Sequence, residues 1–351
     1  MTSSTKTTSA SALDAQNDSR LFQLLDWIAT LSEFALQPES IQPASADASF
    51  RRYFRIRDAE GKTFILMDAP QPQEDVRPFI KVAQLLDETG VTVPHIFASN
   101  IEQGFLLLSD LGVTMYSHLL NQDTAQKLYI DAIDSLVRIQ LHSQPEVLPE
   151  YDRAMLHKEL LIFPEWYINK HLGATLTLEQ QASLDKVFEQ ILANTLAQPQ
   201  VYVHRDYHSR NLMVMAENNP GIIDFQGAMY GPITYDIVSL LRDAYIEWDE
   251  EQVLDWAIRY WERARHAGLP ISTDIDSFYR DFEFMGLQRH LKILGIFCRL
   301  AYRDGKQQYL ADLPLVLSYV RKTAQRYNSL IPLLRLLDEL DDKAPQIGYT
   351  F

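Results

Sequence analysis

Eight consecutive residues, His204-Arg205-Asp206-Tyr207-His208-Ser209-Arg210-Asn211, form a polar run between two short β-type pieces, Val201-Tyr202-Val203 and Gly221-Ile222-Ile223. The rest of that half of the chain reads as helix. Segments near 124–141, 178–196, 235–265, 276–303 and 314–338 carry apolar stripes at helical spacing, with charged opposite faces. A polar loop pinned by short strands among helices is where a scaffold presents functional groups. Any fold for this chain has to place that loop.

The amino-terminal part has a different rhythm. Leu21, Leu24, Leu25, Ile28 and Leu31 predict one amphipathic helix over about 20–35, ended by Pro38 and Pro43. Phe50–Ile56 and Thr63–Met67 read as strands around the turn Asp58-Ala59-Glu60-Gly61-Lys62, which makes a hairpin. Phe79–Leu86 reads as a helix stopped by Gly90, followed by strands at Val91–Ile96 and Phe105–Leu108. The expected class is α+β: a mobile tail over 1–19, a strand-rich part with helical segments up to 108, and a mostly α part beyond Leu111.

Composition narrows the partners. With 351 residues the chain is long enough for about two domains. A net charge of −15 disfavours nucleic acid, because no broad basic surface would neutralise phosphates. No run nears the ~20 apolar residues of a membrane span, and the tail lacks a signal-peptide segment, so the expectation is a cytoplasmic protein without membrane or obligate protein partner. The single cysteine, Cys298, lies in an apolar stretch and reads as a buried thiol.

The chemistry is carried by Asp206-x4-Asn211 and, thirteen residues further on, by Ile222-Ile223-Asp224-Phe225-Gln226-Gly227. Phosphoryl transfer of the kinase type uses this set: one Asp to accept the attacking hydroxyl's proton, and an Asn and a second Asp as oxygen ligands for Mg²⁺. His204-Arg205-Asp206 matches the H-R-D start of a kinase catalytic loop, and Asp224-Phe225-Gln226-Gly227 stands where D-F-G would be. A zinc pair of His204 and His208 is disfavoured because no H-E-x-x-H or cysteine accompanies them. No Walker-type or G-x-G-x-x-G motif occurs.

These segments resemble the aminoglycoside phosphotransferase and choline kinase superfamily, whose loop runs H-x-D-x-x-x-x-N followed by I-D-[FW]. The resemblance spans roughly Ala44 to Leu334 and implies a two-lobed, protein-kinase-like fold: a small antiparallel-sheet lobe with one helix over 20–108, a hinge at 109–112 and a large, mostly helical lobe over 113–351. It implies Asp206 as catalytic base, Asn211 and Asp224 as Mg²⁺ ligands, His204 as a packing residue and Asp236 as a brace on the catalytic loop. One departure is clear: Met67 stands where the superfamily has a phosphate-pairing lysine, and Phe79 or Lys81 falls near its glutamate partner. Either the protein is a non-catalytic relative or another cation takes the phosphates. Arg51, Arg52 and Arg55 are the candidates, with Arg52 preferred if its apolar strand face looks toward the nucleotide.

Asp47-Ala48-Ser49-Phe50-Arg51-Arg52-Tyr53-Phe54-Arg55, Leu66-Met67-Asp68-Ala69-Pro70, Phe163-Pro164-Glu165-Trp166-Tyr167 and the catalytic loop further resemble bacterial cell-wall sugar kinases. Those enzymes phosphorylate the anomeric hydroxyl of N-acetylmuramate and N-acetylglucosamine in peptidoglycan recycling. The resemblance implies ATP as phosphoryl donor, bound by Ser49, Phe50, Arg52 and the hinge residues Leu108, Ser109, Asp110 and Leu111. For the small amino sugar, the basic island on 286–306 offers Arg289, His290 and Arg303, the arginines for an anionic group such as a lactyl carboxylate; Glu165 could hydrogen-bond a pyranose, with Trp166 and Tyr167 stacking on it. A solvated helix face and a buried helix-start cluster are the alternative readings of those two groups. Another small acceptor, such as choline, homoserine or an aminoglycoside, and a pseudokinase-type binding module remain the rival functions.

Overall fold

The structure is a computed structural model that describes residues 18–46 and 50–341. The expected nucleotide-loop residue Ser49, and the expected tail up to residue 17, lie outside the described residues. The chain divides into two compact units, one of residues through Ala83 with Pro94–Leu111, the other of Gln84–Val93 with Gly112 onward.

The first unit is built on a five-stranded antiparallel sheet in the order β1-β2-β3-β5-β4, with β1 Leu36–Ala46, β2 Arg52–Asp58, β3 Thr63–Asp68, β4 Ile96–Asn100 and β5 Phe105–Ser109. Helix α1, Ser19–Ala29, begins inside the expected tail because Asp18 caps it, accepting from the N–H groups of Arg20 and Leu21 at 3.1 Å. Leu21, Leu24 and Ile28 of α1 form a core with Phe54, Ile56, Phe64, Leu66, Phe105 and Leu107, all from one face of the sheet. Helix α2, Arg77–Glu88, leaves from β3.

Two expectations fail here. The residues around Pro38 and Pro43, read as helix breakers, form β1; a proline is tolerated there because β1 is an edge strand with one unpaired side. Conversely, Val91–Ile96 is not a strand. Pro94 interrupts it, β4 starts only at Ile96, and Thr92 makes an isolated parallel bridge to Gly221 instead.

The second unit is mostly helical: α3 Tyr116–Leu119, α4 Ala125–Leu141, α5 Arg153–Leu160, a π-helical turn Phe163–His171, α6 Leu178–Ala197, α7 Tyr235–Leu241, α8 Glu250–His266, α9 Ile275–Asp304, α10 Leu313–Arg326 and α11 Ile331–Asp341. The helix expected over 235–265 is broken between α7 and α8, and the one expected over 314–338 breaks at Tyr327, whose backbone is extended (φ −115°, ψ 119°). Helix α9, thirty residues long, is the spine, with an almost fully buried middle from Phe282 to Gly295. At Gly295 a β-carbon would stand 2.4 Å from the carbonyl oxygen of Ile162, so only glycine lets the π-helical turn lie this close. Among the described residues no helix is long and apolar enough to cross a membrane.

Candidate active site

Two small ladders clamp the 204–211 loop. Strand β6, Gln200–Val203, pairs antiparallel with β9, Met229–Pro232; β7, Leu212–Met213, pairs with β8, Gly221–Ile222. The loop thus leaves one ladder and enters the other, and Asp224 follows two residues after β8. Arg205 and Asp224 both have left-handed backbones (φ 77° and 63°), a conformation that persists in non-glycine residues only where the surroundings enforce it.

The surroundings are visible bond by bond. The N–H groups of His204 and Arg205 donate to the two oxygens of the buried Asp236 carboxylate at 2.6 and 3.0 Å. Burial pushes the Asp236 carboxyl up to about 7, against the pull of those N–H donors and of Arg289. His204 is spent: Nε2 lies 3.0 Å from the Ile223 carbonyl, to which it donates, and Nδ1 accepts from the Asp206 N–H at 3.2 Å. That arrangement needs a neutral ring, and burial holds its pKa down to about 4. With both nitrogens occupied, it has none left for a metal. Tyr207 donates its hydroxyl to the Ala132 carbonyl at 2.8 Å. Ser209 donates from N–H and hydroxyl to the buried Asp243, whose second oxygen accepts from the Tyr245 N–H at 3.1 Å. Asp243 sits in the break between α7 and α8, so the broken helix supplies a brace.

In this fixed loop the Asp206 side chain remains 53% exposed, with one oxygen 4.0 Å from Arg289 Nη1. Partial burial would raise its pKa, but the charges of Arg289 and Lys292 outweigh that and bring it down to about 2. Beneath the loop, buried Glu159 takes Arg205 Nη2 at 2.6 Å and Lys292 Nζ at 2.9 Å, and accepts from the Tyr151 hydroxyl. Lys292 also donates to the Tyr235 hydroxyl at 3.1 Å, and Arg289 Nη1 donates to the Arg205 carbonyl at 2.9 Å.

Asn211 Nδ2 donates to the Asp206 carbonyl at 2.9 Å, which leaves the amide oxygen outside that bond. The Asn211 carbonyl accepts from the Ile223 N–H at 3.1 Å, so β7 and β8 bring Asn211 and Asp224 to adjacent strand ends. Their amide and carboxylate oxygens are hard donors. One amide oxygen and one carboxylate make a sparse set of the kind that suits Mg²⁺, which takes few protein carboxylates beside phosphate oxygens.

Other expected site residues fall elsewhere. Arg52 lies on the α1 face of the sheet, opposite Met67, and is held by Asp18 and Asp68; the ground for choosing it as the phosphate cation is gone. Arg55 shares the Met67 face and is bonded to Asp110 at 2.6 and 2.9 Å. Phe50 is exposed, Leu108 and Ser109 close β5, and the chain passes between units after Leu111.

The basic island on α9 separates. Arg289 and Lys292 are buried under the catalytic loop, whereas Arg303 is exposed and bonded to Asp304. Fourteen helical residues place Arg303 about 21 Å from Arg289 along the axis, so the two cannot share one small ligand. His290 is a core residue, stacked on Tyr319 at 4.8 Å with Nε2 bonded to the Arg242 carbonyl. Glu165 is exposed and Trp166 half-buried on the π-helical turn; Tyr167 is buried, stacked on Phe163 at 5.4 Å. Sequence reading missed Glu159 and Asp243 as braces, and considered His208 only as a zinc ligand. An acid within the apolar stretch 235–245 was the one available sign of Asp243.

Against known proteins, residues 40–269 match the model of the phosphotransferase enzyme family. The chain is 47% identical over 337 residues to the N-acetylmuramate/N-acetylglucosamine kinase of Neisseria meningitidis, covering 95% of this chain and 99% of that protein. It is 44% identical to the Pseudomonas aeruginosa protein of the same name, covering 93% and 99%. Among solved structures, the choline kinase LicA of Streptococcus pneumoniae superposes with a TM-score of 0.61 at 12% identity, over 86% of this chain and 99% of that one. The GDP complex of aminoglycoside 2'-phosphotransferase-IIIa gives 0.61 at 14% identity, over 88% and 100%; at such identities the likeness is one of fold. With a family model over most of its length and near-full-length kinase relatives, the chain belongs to the phosphotransferase enzyme family and is a kinase of the aminoglycoside phosphotransferase and choline kinase fold.

Proposed function

We propose that this kinase transfers the γ-phosphoryl group of ATP to the anomeric hydroxyl of N-acetylmuramate and N-acetylglucosamine, in the cytoplasm, in cell-wall recycling. The near-full-length identity to relatives bearing those sugar names supports the substrate. The observation that carries the chemistry is a half-exposed Asp206 carboxylate in a loop whose backbone is tied down on either side of it, at His204 and Arg205 by Asp236 and at Ser209 by Asp243.

Asp206 is ionised across physiological pH, so it accepts a hydrogen bond from the sugar hydroxyl, aligns the oxygen on the γ-phosphorus, and takes the proton as the new P–O bond forms and the bond to the β–γ bridging oxygen breaks. Asn211 and Asp224 are the residues that would hold Mg²⁺, which when bound neutralises phosphate charge. Arg289 keeps Asp206 anionic and aimed, and the Asp236 and Asp243 braces keep the loop from yielding during the transfer. Leu108 to Leu111 and the segment around Ser49 and Phe50 are assigned to the nucleotide, with Glu165 and Trp166 kept as sugar contacts.

The test is Mg²⁺-dependent ADP release with N-acetylmuramate, N-acetylglucosamine, glucose, choline, homoserine and kanamycin, for the wild type and Asp206→Asn. Turnover on the two amino sugars, abolished in the variant, is expected. Turnover on choline or kanamycin alone would overturn the substrate and keep the kinase. Silence across the panel would favour a binding module, the reading that the buried Met67 supports.

A further inference from the structure

Beside Asp206 lies a second cluster that none of the steps above uses. The His208 ring stands edge-on to Tyr245, with centroids 5.6 Å apart and planes at 82°; Tyr245 stacks in turn with Phe297 of α9 at 5.9 Å. The Arg210 guanidinium lies over the Tyr245 ring, 3.4 Å from its centroid. His208 feels the charges of Asp243, Asp206, Arg289 and Arg210, and its backbone N–H donates to the Asp206 carbonyl at 3.0 Å, so it touches both the base's residue and this platform. Its Nδ1 is buried and has no partner.

Arg210 differs from the other cations near the loop. Arg205 and Lys292 are bound to Glu159, and Arg289 Nη1 is committed to the Arg205 carbonyl and Asp206. Arg210 is exposed and makes no ion pair among the described residues. Neither nearby acid pairs with it among the described residues: Asp243 is engaged by Ser209 and Tyr245, and Asp312, whose charge Arg210 feels, makes no ion pair with it. Stacking on Tyr245 occupies the flat face of the guanidinium but leaves its N–H edge open. That edge matches a carboxylate in bidentate geometry, and a guanidinium already held flat loses less freedom on binding.

One of the two proposed sugars carries a lactyl carboxylate and the other does not. We propose that Arg210, held on Tyr245 and four residues along the same loop from Asp206, is the specificity residue that binds the carboxylate of N-acetylmuramate. The proposal rests on the amino-sugar reading above. It replaces Arg289 and Arg303, which the sequence offered as contacts for the amino sugar.

The experiment measures kcat/KM for both sugars in the wild type, Arg210→Gln, Arg210→Lys and Tyr245→Leu. The quantity read is the ratio of N-acetylmuramate to N-acetylglucosamine efficiency, which cancels any shared loss from altered folding or nucleotide binding. Arg210→Gln should lower that ratio by about 10- to 100-fold, the worth of a charge-assisted bond, chiefly through KM for N-acetylmuramate. Arg210→Lys should recover part of it, since charge remains and the fork is lost, and Tyr245→Leu should shift it the same way by less. A ratio within about threefold of wild type in Arg210→Gln would overturn the assignment, whatever the absolute rates. Inactivity of the wild type on both sugars would instead overturn the amino-sugar reading itself.

Discussion

The two units handle buried charge in opposite ways. In the first, Asp68 is fully buried on the α1 side of the sheet and accepts from Arg20 at 3.1 Å and Arg52 at 3.0 Å; Arg55 and Asp110 pair on the other face. Each carboxylate there meets its cations locally and tacks a strand to a neighbour. In the second, Arg205, Arg289 and Lys292 converge on Glu159 and Asp206, so the cluster holds more positive than negative groups and its surplus is directed at one half-exposed carboxylate. The same residue types thus stabilise a sheet in one place and keep a half-exposed carboxylate ionised in the other. A buried ion pair reveals its purpose by what is left unbalanced.

That contrast breaks first at Asp206. Replacement by Ala should cost turnover about 10²–10⁴-fold as a general-base deletion, with nucleotide affinity and thermal midpoint close to wild type. Near-normal turnover would remove Asp206 from the chemistry and the contrast with it. Glu159→Gln comes next: stripping the counter-charge from Arg205 and Lys292 should destabilise by about 3–5 kcal/mol in urea titrations. A loss under 1 kcal/mol would mean the cations re-pair elsewhere.

Acid should act on the second unit by a smaller amount. Above pH 6.5 His204 is neutral folded and unfolded; between 6.5 and its folded value of about 4, only the unfolded chain takes the proton, so stability falls as pH falls. The contribution approaches about 3 kcal/mol at pH 4. His204→Asn should flatten that part of the stability profile, and an unchanged slope would assign it to other groups. The smallest effect is expected in the first unit: Asp68→Asn should cost about 2–3 kcal/mol, discounted because Arg20 and Arg52 are partly exposed. If it slowed turnover as much as Asp206→Ala, the division between sheet-tacking and site-aiming charges would collapse.

The candidate segment was legible because its information is local: His204, Asp206, Asn211 and Asp224 stand out by residue type and spacing alone. Strands β2, β3 and β5 and the helices α4, α6 and α9 were legible for the same reason, each repeating a period over its own length. What stayed hidden depends on distant partners. Arg289 and Lys292 look like a solvated face until Glu159 and the loop cover them. β1 hides behind its prolines because only its position at the sheet edge excuses them. The break after α7 hides because Asp243 leaves helical structure to bind Ser209, a residue thirty-four positions earlier.

The bridge from Thr92 to Gly221 has a consequence for how such a protein can be inherited in pieces. Residues 84–93 belong to the second unit although they lie, in sequence, between strands of the first, and the Ile222 N–H donates to the Thr92 carbonyl at 2.8 Å, two residues before Asp224. A crossover near codon 111 that joined the front of one gene to the back of another would bring Thr92 from one parent and Asp224 from the other. Any residue at 92 could offer that carbonyl, but the Thr92 hydroxyl also donates to the Asn218 carbonyl at 2.8 Å, and Arg138 and Asn218 donate to the Gly90 carbonyl at 2.8 and 2.9 Å, so recombination between relatives should leave active progeny more often when residues 84–93 travel with the back half.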